Sequence, residues 1–407
     1  MCNTSFTKEI LMAQMNSKPL AGTKVVEFTH MVMGPAAGLV LADLGAEVIK
    51  VEPIGGDKTR RLKGSGAGYF AMYNRNKFSI SIDLKSSRGA EHVKALINGA
   101  DVFIENFRPG ALDRLGFGYK ALSASNPGLI YCSEKGFLPG PYERRTALDE
   151  VAQMMGGLAY MTGPPGRPLR AGASVIDVAG GMFGAIAILA ALQQRASTGK
   201  GQLVSASLFE TTAFFVGQHM AQYAVTGSPA APMPARISAW AVYDVFDVRD
   251  GEKVFVGVVS DTQWQKFCEA FELSDWLADE SLSKNNERVA RREELIPRLK
   301  TLFSTFEKAQ LMEKLERVGL PFAPISKPED LFEDEHLNAN GGLLDVVLPD
   351  GGGTKLPSLP VQMDGMRPGL ELNPPRVGEH TRSVLLDLGV TDQEITELSA
   401  LNLIQCE

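Results

Sequence analysis

The chain has 407 residues, so one large domain or two is the starting expectation. With 44% apolar and 22% charged residues, the composition excludes a disordered or fibrous protein. The formal net charge of −7 argues against general affinity for nucleic acid or anionic membranes, but it is compatible with a local basic patch for an anionic ligand.

The cysteines and histidines give no sign of a metal site. Cys2, Cys132, Cys268 and Cys406 are widely scattered and include no CxxC pair, which argues against a disulfide framework and a zinc site. The five histidines also lack metal-ligand spacing, and His92 is expected on an exposed helix face. A reducing cytoplasm is therefore the simplest location.

Two segments bear on targeting and membranes. Residues 1–18 predict a flexible leader, because they lack the basic start and apolar run of a secretory signal. Residues 171–192 are almost wholly apolar but contain Asp177. A carboxylate in the hydrocarbon costs at least ~2.5 kcal/mol, so we predict a buried core helix with an acid at its entrance and no membrane association.

The first half of the chain alternates short apolar runs with helical patterns. Proline opens and glycine closes the first helical pattern. The alternation predicts a mostly parallel sheet with helices on both faces. Strands are predicted at 24–28, 47–52, 80–83, 101–106 and 129–136, and helices at 35–45 and 89–99.

The second half changes in character after a proline-rich break at 228–238. Beyond the break we predict a hairpin turning at 250–251, amphipathic helices to about 318, a short strand, a second hairpin turning at 351–353 and a final helix at 382–388. Before the break, helices are predicted at 148–158, 178–196 and 209–225, with a strand at 202–208.

Common cofactor and hydrolase motifs do not fit the chain. The glycine-rich run at 64–68 follows a charged stretch, whereas the dinucleotide fingerprint needs a strand entering the glycine turn. A Walker loop and a GxSxG nucleophile elbow are both absent from the sequence. A nicotinamide enzyme, a P-loop NTPase and an elbow-type hydrolase are therefore not expected.

Long motifs run in a fixed order along the chain. Together they closely resemble the class III CoA-transferase family, which includes formyl-CoA and carnitine CoA-transferases, from about residue 19 to residue 381. The motifs are EFTHMVMGPAAGLVLADLGAEVIKVE, YNRNKFSISIDLK, ADVFIENFRPGALDRLGFGY, the ALDEVAQMMGGLAYMTG block, GASVIDVAGGMFG and TGKGQLV.

The resemblance implies an α/β fold with a large doubly wound Rossmann-like domain, a smaller α/β domain and an interlocked homodimer. The large domain is expected to combine the N-terminal part, residues 19–226, with the C-terminal segment 336–407. The small domain is expected at 238–335, after a linker at 227–237.

The resemblance assigns covalent catalysis to one aspartate, and the matching position is Asp177. Its carboxylate is expected to pass through an aspartyl mixed anhydride and an aspartyl-CoA thioester. The residue pattern by itself favours another interpretation, because aspartate just before an apolar helix is a preferred N-cap. The two are compatible, and nearby N–H groups are expected to stabilise a developing oxyanion.

Asp149 and Val32 are the candidate substrate-positioning residues. Related acyl-CoA racemases have a catalytic aspartate at the position of Asp149, preceded by a histidine that Leu148 replaces here. Proton exchange at the alpha carbon needs a base on each side, so a racemase or epimerase is only an alternative. A helix cap is the competing interpretation of Asp149. A non-catalytic CoA-binding protein is the third possibility, and Asp177 argues against it.

Coenzyme A is expected as a substrate, with no tightly bound cofactor. Its phosphates call for cationic partners, and Lys85 and Arg114 are the most plausible. The resemblance places the contacts at His30, Val32, Met33, Ile82, Asp83, Leu84, Lys85, Asn106, Phe107, Arg108, Arg114 and Lys135.

Three departures argue against formyl-CoA and oxalate as substrates. Formyl-CoA transferases have glutamine where this chain has Val32 and arginine where it has Pro53, and their glycine-rich flap has no counterpart between Gly227 and Asp261. An apolar side chain in place of glutamine suits a larger acyl group. We therefore expect a small dicarboxylic acid as acceptor, with succinyl-CoA as donor.

Overall fold

The computed structural model describes residues 18–236 and 238–407, and residues 1–17 of the predicted leader lie outside the described part. The chain divides into two compact units. The larger unit combines the chain up to Pro232 with Glu335–Glu407, and the smaller unit is Met233–Asp334. The first division falls inside the predicted linker, and the second lies next to the predicted return at 336.

A mostly parallel sheet organises the larger unit. Within the described residues, its strands have the order β12–β3–β2–β1–β4–β5–β6, and only β12 is antiparallel to its neighbour. This is the doubly wound order with an added edge strand. The strands are β1 (Lys24–Phe28), β2 (Glu47–Glu52), β3 (Lys77–Ile82), β4 (Val102–Glu105), β5 (Ile130–Lys135), β6 (Leu203–Ser207) and β12 (Ile404–Gln405).

Helices cover both faces of this sheet. Those before the smaller unit are α1 (Met33–Asp43), α2 (Tyr69–Tyr73), α3 (Ser87–Asn98), α4 (Ala111–Arg114), α5 (Tyr119–Ser125), α6 (Asp149–Met155), α7 (Leu158–Thr162), α8 (Val175–Thr198) and α9 (Leu208–Thr226). After it come α15 (Glu335–Ala339), the hairpin β10 (Leu343–Val347) and β11 (Gly353–Pro357), α16 (Thr381–Asp387) and α17 (Asp392–Ala400).

The central strands are buried on both faces, which explains their near-continuous apolar sequences. Side chains alternate across a strand, so Val26 and Phe28 of β1 enter one apolar cluster with α3 and α17, while Val25 enters another with α1 and α8. This arrangement confirms the predicted α/β fold with a large, mostly parallel sheet.

Three sequence-based boundaries are wrong. The helix predicted at 148–158 is two helices, because Gly157 between α6 and α7 adopts a left-handed backbone with φ of 85°. Helix α8 begins at Val175, so the expected N-cap position of Asp177 is wrong, and Ser174 takes it. The tail does not end at 388, since α17 and β12 follow.

The predicted exposed face around His92 is also only partly correct. His92 is half-buried, and its Nε2 lies 3.3 Å from a carboxylate oxygen of Glu394 on α17. The unpredicted C-terminal helix therefore covers part of the surface that α3 was expected to show to solvent.

The smaller unit has its own sheet and core. Its strands β7 (Val242–Asp247), β8 (Lys253–Val258) and β9 (Phe322–Pro324) are antiparallel, and β7 and β8 turn at Gly251 as predicted. Trp264, Phe267 and Phe303 lie at the centre of its apolar cluster. Its helices are α10 (Asp261–Ala270), α11 (Ser274–Ala278), α12 (Asn285–Ala290), α13 (Arg292–Phe303) and α14 (Lys308–Val318).

Among the described residues, α8 alone has the length and apolar composition of a membrane-crossing helix. Of its most apolar window, 44% is buried inside the protein, and core helices of many proteins have the same composition. Ile176 and Ile188 are fully buried, and α8 packs against α1, β5 and β6. Its place in the sheet core agrees with the predicted buried helix.

Candidate active site

A cavity of the larger unit lies where the strand order reverses. Strand β1 has β2 on one side and β4 on the other, and the chain leaves the carboxyl ends of β1 and β4 toward opposite sides. Doubly wound proteins bind ligands in the crevice that this reversal opens. A cavity of about 280 Å³ lies here, lined by His30 and Met31 after β1 and by Asn106, Phe107 and Arg108 after β4.

Asp177 enters this cavity from the first turn of α8. Its side chain is half-buried and lines the cavity. Burial, and then the nearby Asp149 carboxylate, raises the pKa of Asp177 to about 7, while Arg170 opposes the rise. A substantial part of the Asp177 population is therefore ionised at neutral pH, in a setting that removes part of its water shell.

Asp149, the first residue of α6, holds the start of α8. Its Oδ2 accepts the backbone N–H groups of Ile176 at 2.9 Å and Asp177 at 3.1 Å. Its Oδ1 accepts the Gln153 side-chain amide at 2.6 Å and lies 3.2 Å from the Arg170 guanidinium. The cap interpretation of Asp149 is therefore correct, but the helix that it caps is α8 rather than its own.

The same hydrogen bonds overturn the expected oxyanion role of the backbone at Asp177. The N–H groups of Ile176 and Asp177 already donate to Asp149, and the N–H of Val178 donates to the Ser174 carbonyl. These donors therefore hold the turn that bears Asp177 and are not free for a developing oxyanion.

Glycines let α8 lie directly against α1. Gly181 faces the Met33 carbonyl, and a Cβ at Gly181 would lie 2.4 Å from that oxygen. Gly180, Gly181 and Gly184 follow Asp177 at spacings of three, four and seven, so all lie on one face of α8. The close approach brings Asp177 to the cavity wall formed by the start of α1.

The structure brings together part of the predicted CoA-contact set. His30, Met33, Asn106, Phe107, Arg108 and Lys135 line the cavity with Asp149 and Asp177. The Asn106 side chain links two strand ends, since it accepts the His30 backbone N–H at 3.1 Å and donates to the His30 carbonyl at 2.8 Å.

The remaining predicted residues lie outside the cavity lining. Val32 is fully buried and is not among the residues that line the cavity. Ile82 is buried in β3, and Asp83, Leu84 and Lys85 follow that strand, two strands away from β1. Arg114 is exposed at the end of α4.

The cations at the cavity differ in whether they are already neutralised. Lys135 donates to both carboxylate oxygens of Glu105, at 2.6 and 2.8 Å, and to the Phe107 carbonyl at 2.6 Å. Arg108 and Arg145 form no ion pair within the described residues. Lys135 is therefore a structural cation, whereas the two arginines are available to an anionic ligand.

Several site residues escaped the sequence analysis. Tyr69 lines the cavity, and its hydroxyl lies 3.3 Å from the Ser174 hydroxyl. Gln153 holds the loop before α8, because its side-chain oxygen accepts the Ala171 N–H at 2.8 Å. Arg170, Arg145 and Glu134 also line the cavity. The one available signal was the position of Arg170, seven residues before Asp177 and just ahead of the motif that contains it.

Within the residues that the structure describes, no group of three histidine, cysteine or acidic side chains is arranged to hold a metal ion. The cavity lining itself includes Asp149 and Asp177, the buried Glu134, His30, Tyr69, and Arg108 and Arg145, which are unpaired within the described residues.

Comparison with known proteins agrees with this geometry. The model of CoA-transferase family III matches residues 20–381. The mouse succinyl-CoA:glutarate CoA-transferase is 34% identical over 91% of this chain and 86% of its own length. The formyl-CoA:oxalate CoA-transferase of Rhodopseudomonas palustris is 33% identical over 94% of this chain and 96% of its own length.

Solved structures show the same fold. A CaiB/BaiF family protein from Brucella suis superposes with a TM-score of 0.81 and is 34% identical, covering 91% of this chain and 99% of that protein. The motifs, the doubly wound sheet and the matches over nearly the whole chain agree, and the chain belongs to CoA-transferase family III and is a CoA-transferase.

Proposed function

We propose that this enzyme exchanges coenzyme A between two carboxylic acids, with the Asp177 carboxylate as the covalent nucleophile. The observation that carries the proposal is the half-buried Asp177 side chain, which lines the cavity while Asp149 binds its backbone N–H. Partial removal of water makes a carboxylate more reactive toward a thioester carbonyl and protects an anhydride from hydrolysis.

The exchange proceeds in four substitution steps at three carbonyl carbons, those of the donor acyl group, Asp177 and the acceptor acyl group. A carboxylate oxygen of Asp177 attacks the donor thioester, which expels CoA thiolate and forms a mixed anhydride. The thiolate then attacks the Asp177 carbonyl carbon, releasing the donor acid and leaving an aspartyl-CoA thioester. The acceptor carboxylate attacks that carbonyl and expels the thiolate, which finally takes the acceptor acyl group and frees Asp177.

The racemase alternative requires a base on each side of a substrate carbon. The Asp149 carboxylate is already engaged by two backbone N–H groups, Gln153 and Arg170. Leu148 is 60% exposed at the position where related racemases carry histidine. CoA exchange needs no net proton transfer, so these features favour the transferase reaction.

We further propose a dicarboxylic acid as acceptor and succinyl-CoA as donor. Val32 is buried, so its side chain does not support this assignment. The support comes instead from a cation in the cavity. Arg145 lines the same cavity as Asp177 and forms no ion pair within the described residues, and a guanidinium is well suited to bind the distal carboxylate of a diacid. The mouse relative is named for two such acids.

Coenzyme A is longer than the cavity, so its nucleotide end must extend along the carboxyl edge of the sheet. We propose contacts at His30, Met33, Asn106, Phe107 and Arg108 for the part inside the cavity. The exposed Lys85 follows β3, and the exposed Arg114 follows β4. Both are proposed partners of the nucleotide phosphates, with Ile82, Asp83 and Leu84 beside them.

An interlocked homodimer in the cytoplasm completes the proposal. In support, α9 exposes a row of large apolar side chains, which a second copy of this chain would cover. Sedimentation of the purified chain tests the assembly, and a monomer at micromolar concentration would contradict it. The exposed side chains are Phe214, Phe215, Met220, Tyr223 and Val225.

The decisive experiment compares the native chain with Asp177→Ala. Each is incubated with succinyl-CoA and a pool of mono- and dicarboxylic acids, and new CoA esters are followed by mass spectrometry. We expect new dicarboxylyl-CoA esters, and a loss of at least about a thousandfold in the variant, because the nucleophile is gone. Glu150→Gln removes an exposed carboxylate at the cavity rim and should retain activity.

The outcomes separate the parts of the proposal. Unchanged activity in Asp177→Ala would exclude this aspartate as the nucleophile. Exclusive use of formyl-CoA and oxalate would overturn the dicarboxylic acid assignment. Deuterium exchange at the alpha carbon, without new esters, would favour the racemase.

A further inference from the structure

Glu134 on β5 is a further acidic side chain in the wall of the cavity, and the proposed transfer reaction does not use it. Glu134 is only 1% exposed, and it lines the same cavity as Asp177. Within the described part of the chain, neither carboxylate oxygen has a hydrogen-bond partner. A buried carboxyl without partners is costly, so its retention calls for an explanation.

The side chain has space only because α8 carries a glycine opposite it. A Cβ at Gly184 would lie 2.2 Å from Oε1 of Glu134, far too close for any other residue without movement. Gly184 and Asp177 lie on the same face of α8, two helical turns apart. Glu134 therefore sits against the same helix face that presents the proposed nucleophile.

The other carboxylates buried in the described part of the larger unit each have a cation. The pairs are Glu27 with Lys77, Asp57 with Lys50, Glu52 with Arg60, Asp43 with Arg75, Glu105 with Lys135 and Asp149 with Arg170. Glu134 has no such partner among the described residues. An ionised Glu134 would therefore be a buried negative charge without a paired cation.

The acidic groups near Glu134 act in the same direction. Burial raises the pKa of Glu134 well above its ordinary value, and Glu27 of β1, Glu105 of β4 and Asp177 of α8 add to the rise. Lys77 of β3 opposes it. On β5 itself, Lys135 is held by Glu105, and Cys132 is buried with a raised thiol pKa.

We propose that Glu134 is a positioning residue of the transfer reaction that stays protonated and keeps the wall behind Asp177 uncharged. The proposal rests on the proposed role of Asp177. Asp177 must be anionic to attack, and expulsion of CoA thiolate adds negative charge to the same cavity. A carboxylate at Glu134 would disfavour both anions, so loss of its proton sets an upper pH limit for transfer.

The first test is the pH dependence of kcat/KM in the native enzyme and in Glu134→Gln. Glutamine resembles the protonated acid in shape and cannot ionise. We expect the alkaline fall in activity to be present in the native enzyme and lost in the variant, while the acidic limb stays unchanged. An alkaline fall that persists in Glu134→Gln would overturn the role in the reaction. Glu91→Gln, an exposed surface change on α3, serves as the control.

The second test does not depend on activity. In the unfolded chain a glutamate loses its proton near its ordinary value of 4.5, whereas folded Glu134 retains it. The folded state then binds more protons, so stability falls as pH rises from 4.5 through neutrality. The urea midpoint of the native chain should therefore fall relative to that of Glu134→Gln over this range. A constant difference would overturn the protonated state.

A third measurement covers variants that fail to fold. Infrared spectra of the native enzyme, unlabelled and with ¹³C-glutamate, should show a protonated carboxyl stretch at neutral pH that shifts with the label. The band should vanish in Glu134→Gln or, if that variant does not fold, in Glu134→Met. Absence of the band from the native spectrum would overturn the proposal. Failure of CoA transfer with the band present would refute the proposed function alone.

Discussion

Glu27 and Glu134 occupy similar places in the sheet but have opposite surroundings. The register pairs Glu27 with Ile104 and Ile104 with Cys132, so Glu27 and Glu134 project from the same face. A helix glycine makes room for each, Gly38 for Glu27 and Gly184 for Glu134. The Glu27 carboxylate receives the Lys77 ammonium at 2.9 and 3.0 Å, whereas Glu134 receives no donor among the described residues.

The two aspartates of the site repeat this contrast. The Asp149 carboxylate is surrounded by hydrogen-bond donors, whereas Asp177 is half-buried with a pKa raised to about 7. The difference indicates that acids with a hydrogen-bonded or cationic partner stabilise the fold, because the partner keeps the carboxylate ionised. Acids without partners remain free to change protonation state or to react.

The largest effect is expected when a paired acid loses its charge. Glu27→Gln leaves Lys77 buried beside a neutral amide and should destabilise the fold by about 3–5 kcal/mol. Urea denaturation at neutral pH measures the loss. The additional change Lys77→Met should recover much of it, since no unpaired cation then remains. Equal losses in Glu27→Gln and Glu134→Gln would remove the distinction between paired and unpaired glutamates.

A smaller effect is expected at the paired aspartate. Asp149→Asn removes the charge that pairs with Arg170. It also weakens the hydrogen bonds to the first turn of α8. Small displacements of a reacting group are costly, so kcat should fall by about tenfold to a hundredfold. KM should change little, and Glu150→Gln should behave like the native enzyme. Retention of the native kcat would show that the cap does not position Asp177.

The smallest effect concerns the acidic limb of activity. Asp177 must lose its proton to attack, so kcat/KM should rise with pH through a midpoint at about 7. Arg170 favours the carboxylate, and therefore Arg170→Gln should move the midpoint to higher pH, whereas Arg170→Lys should leave it nearly in place. A midpoint that is the same in all three enzymes would exclude Asp177 as the titrating group.

The sequence predicted the main elements because the information for them is local. The strands at 24–28 and 47–52 have the predicted bounds, since apolar runs between a helix and a turn allow few alternatives. The motif containing Asp177 directed attention to the residue that lines the cavity. The break at Gly157 was missed because an isolated glycine is compatible with a continuous helix.

The contacts that shape the site depend on distant residues. Asp149 caps a helix that begins 26 positions later. The local sequence of neither segment predicts that the two come into contact. The sequence predicts Glu134 as part of an ordinary strand. Its burial among β1, β4 and α8 without a paired cation depends on the tertiary structure. The strand β12 was missed because two residues carry no usable periodicity.

The late position of β12 has a consequence for synthesis of the chain. This strand covers the outer edge of β3, and Ile404 is buried in the apolar cluster shared by β1 and α3. The larger unit therefore requires residues that leave the ribosome only after the whole smaller unit has emerged. A truncated chain ending near Leu388 would expose the edge of β3 and should aggregate, so nascent chains depend on protection until β12 has been made.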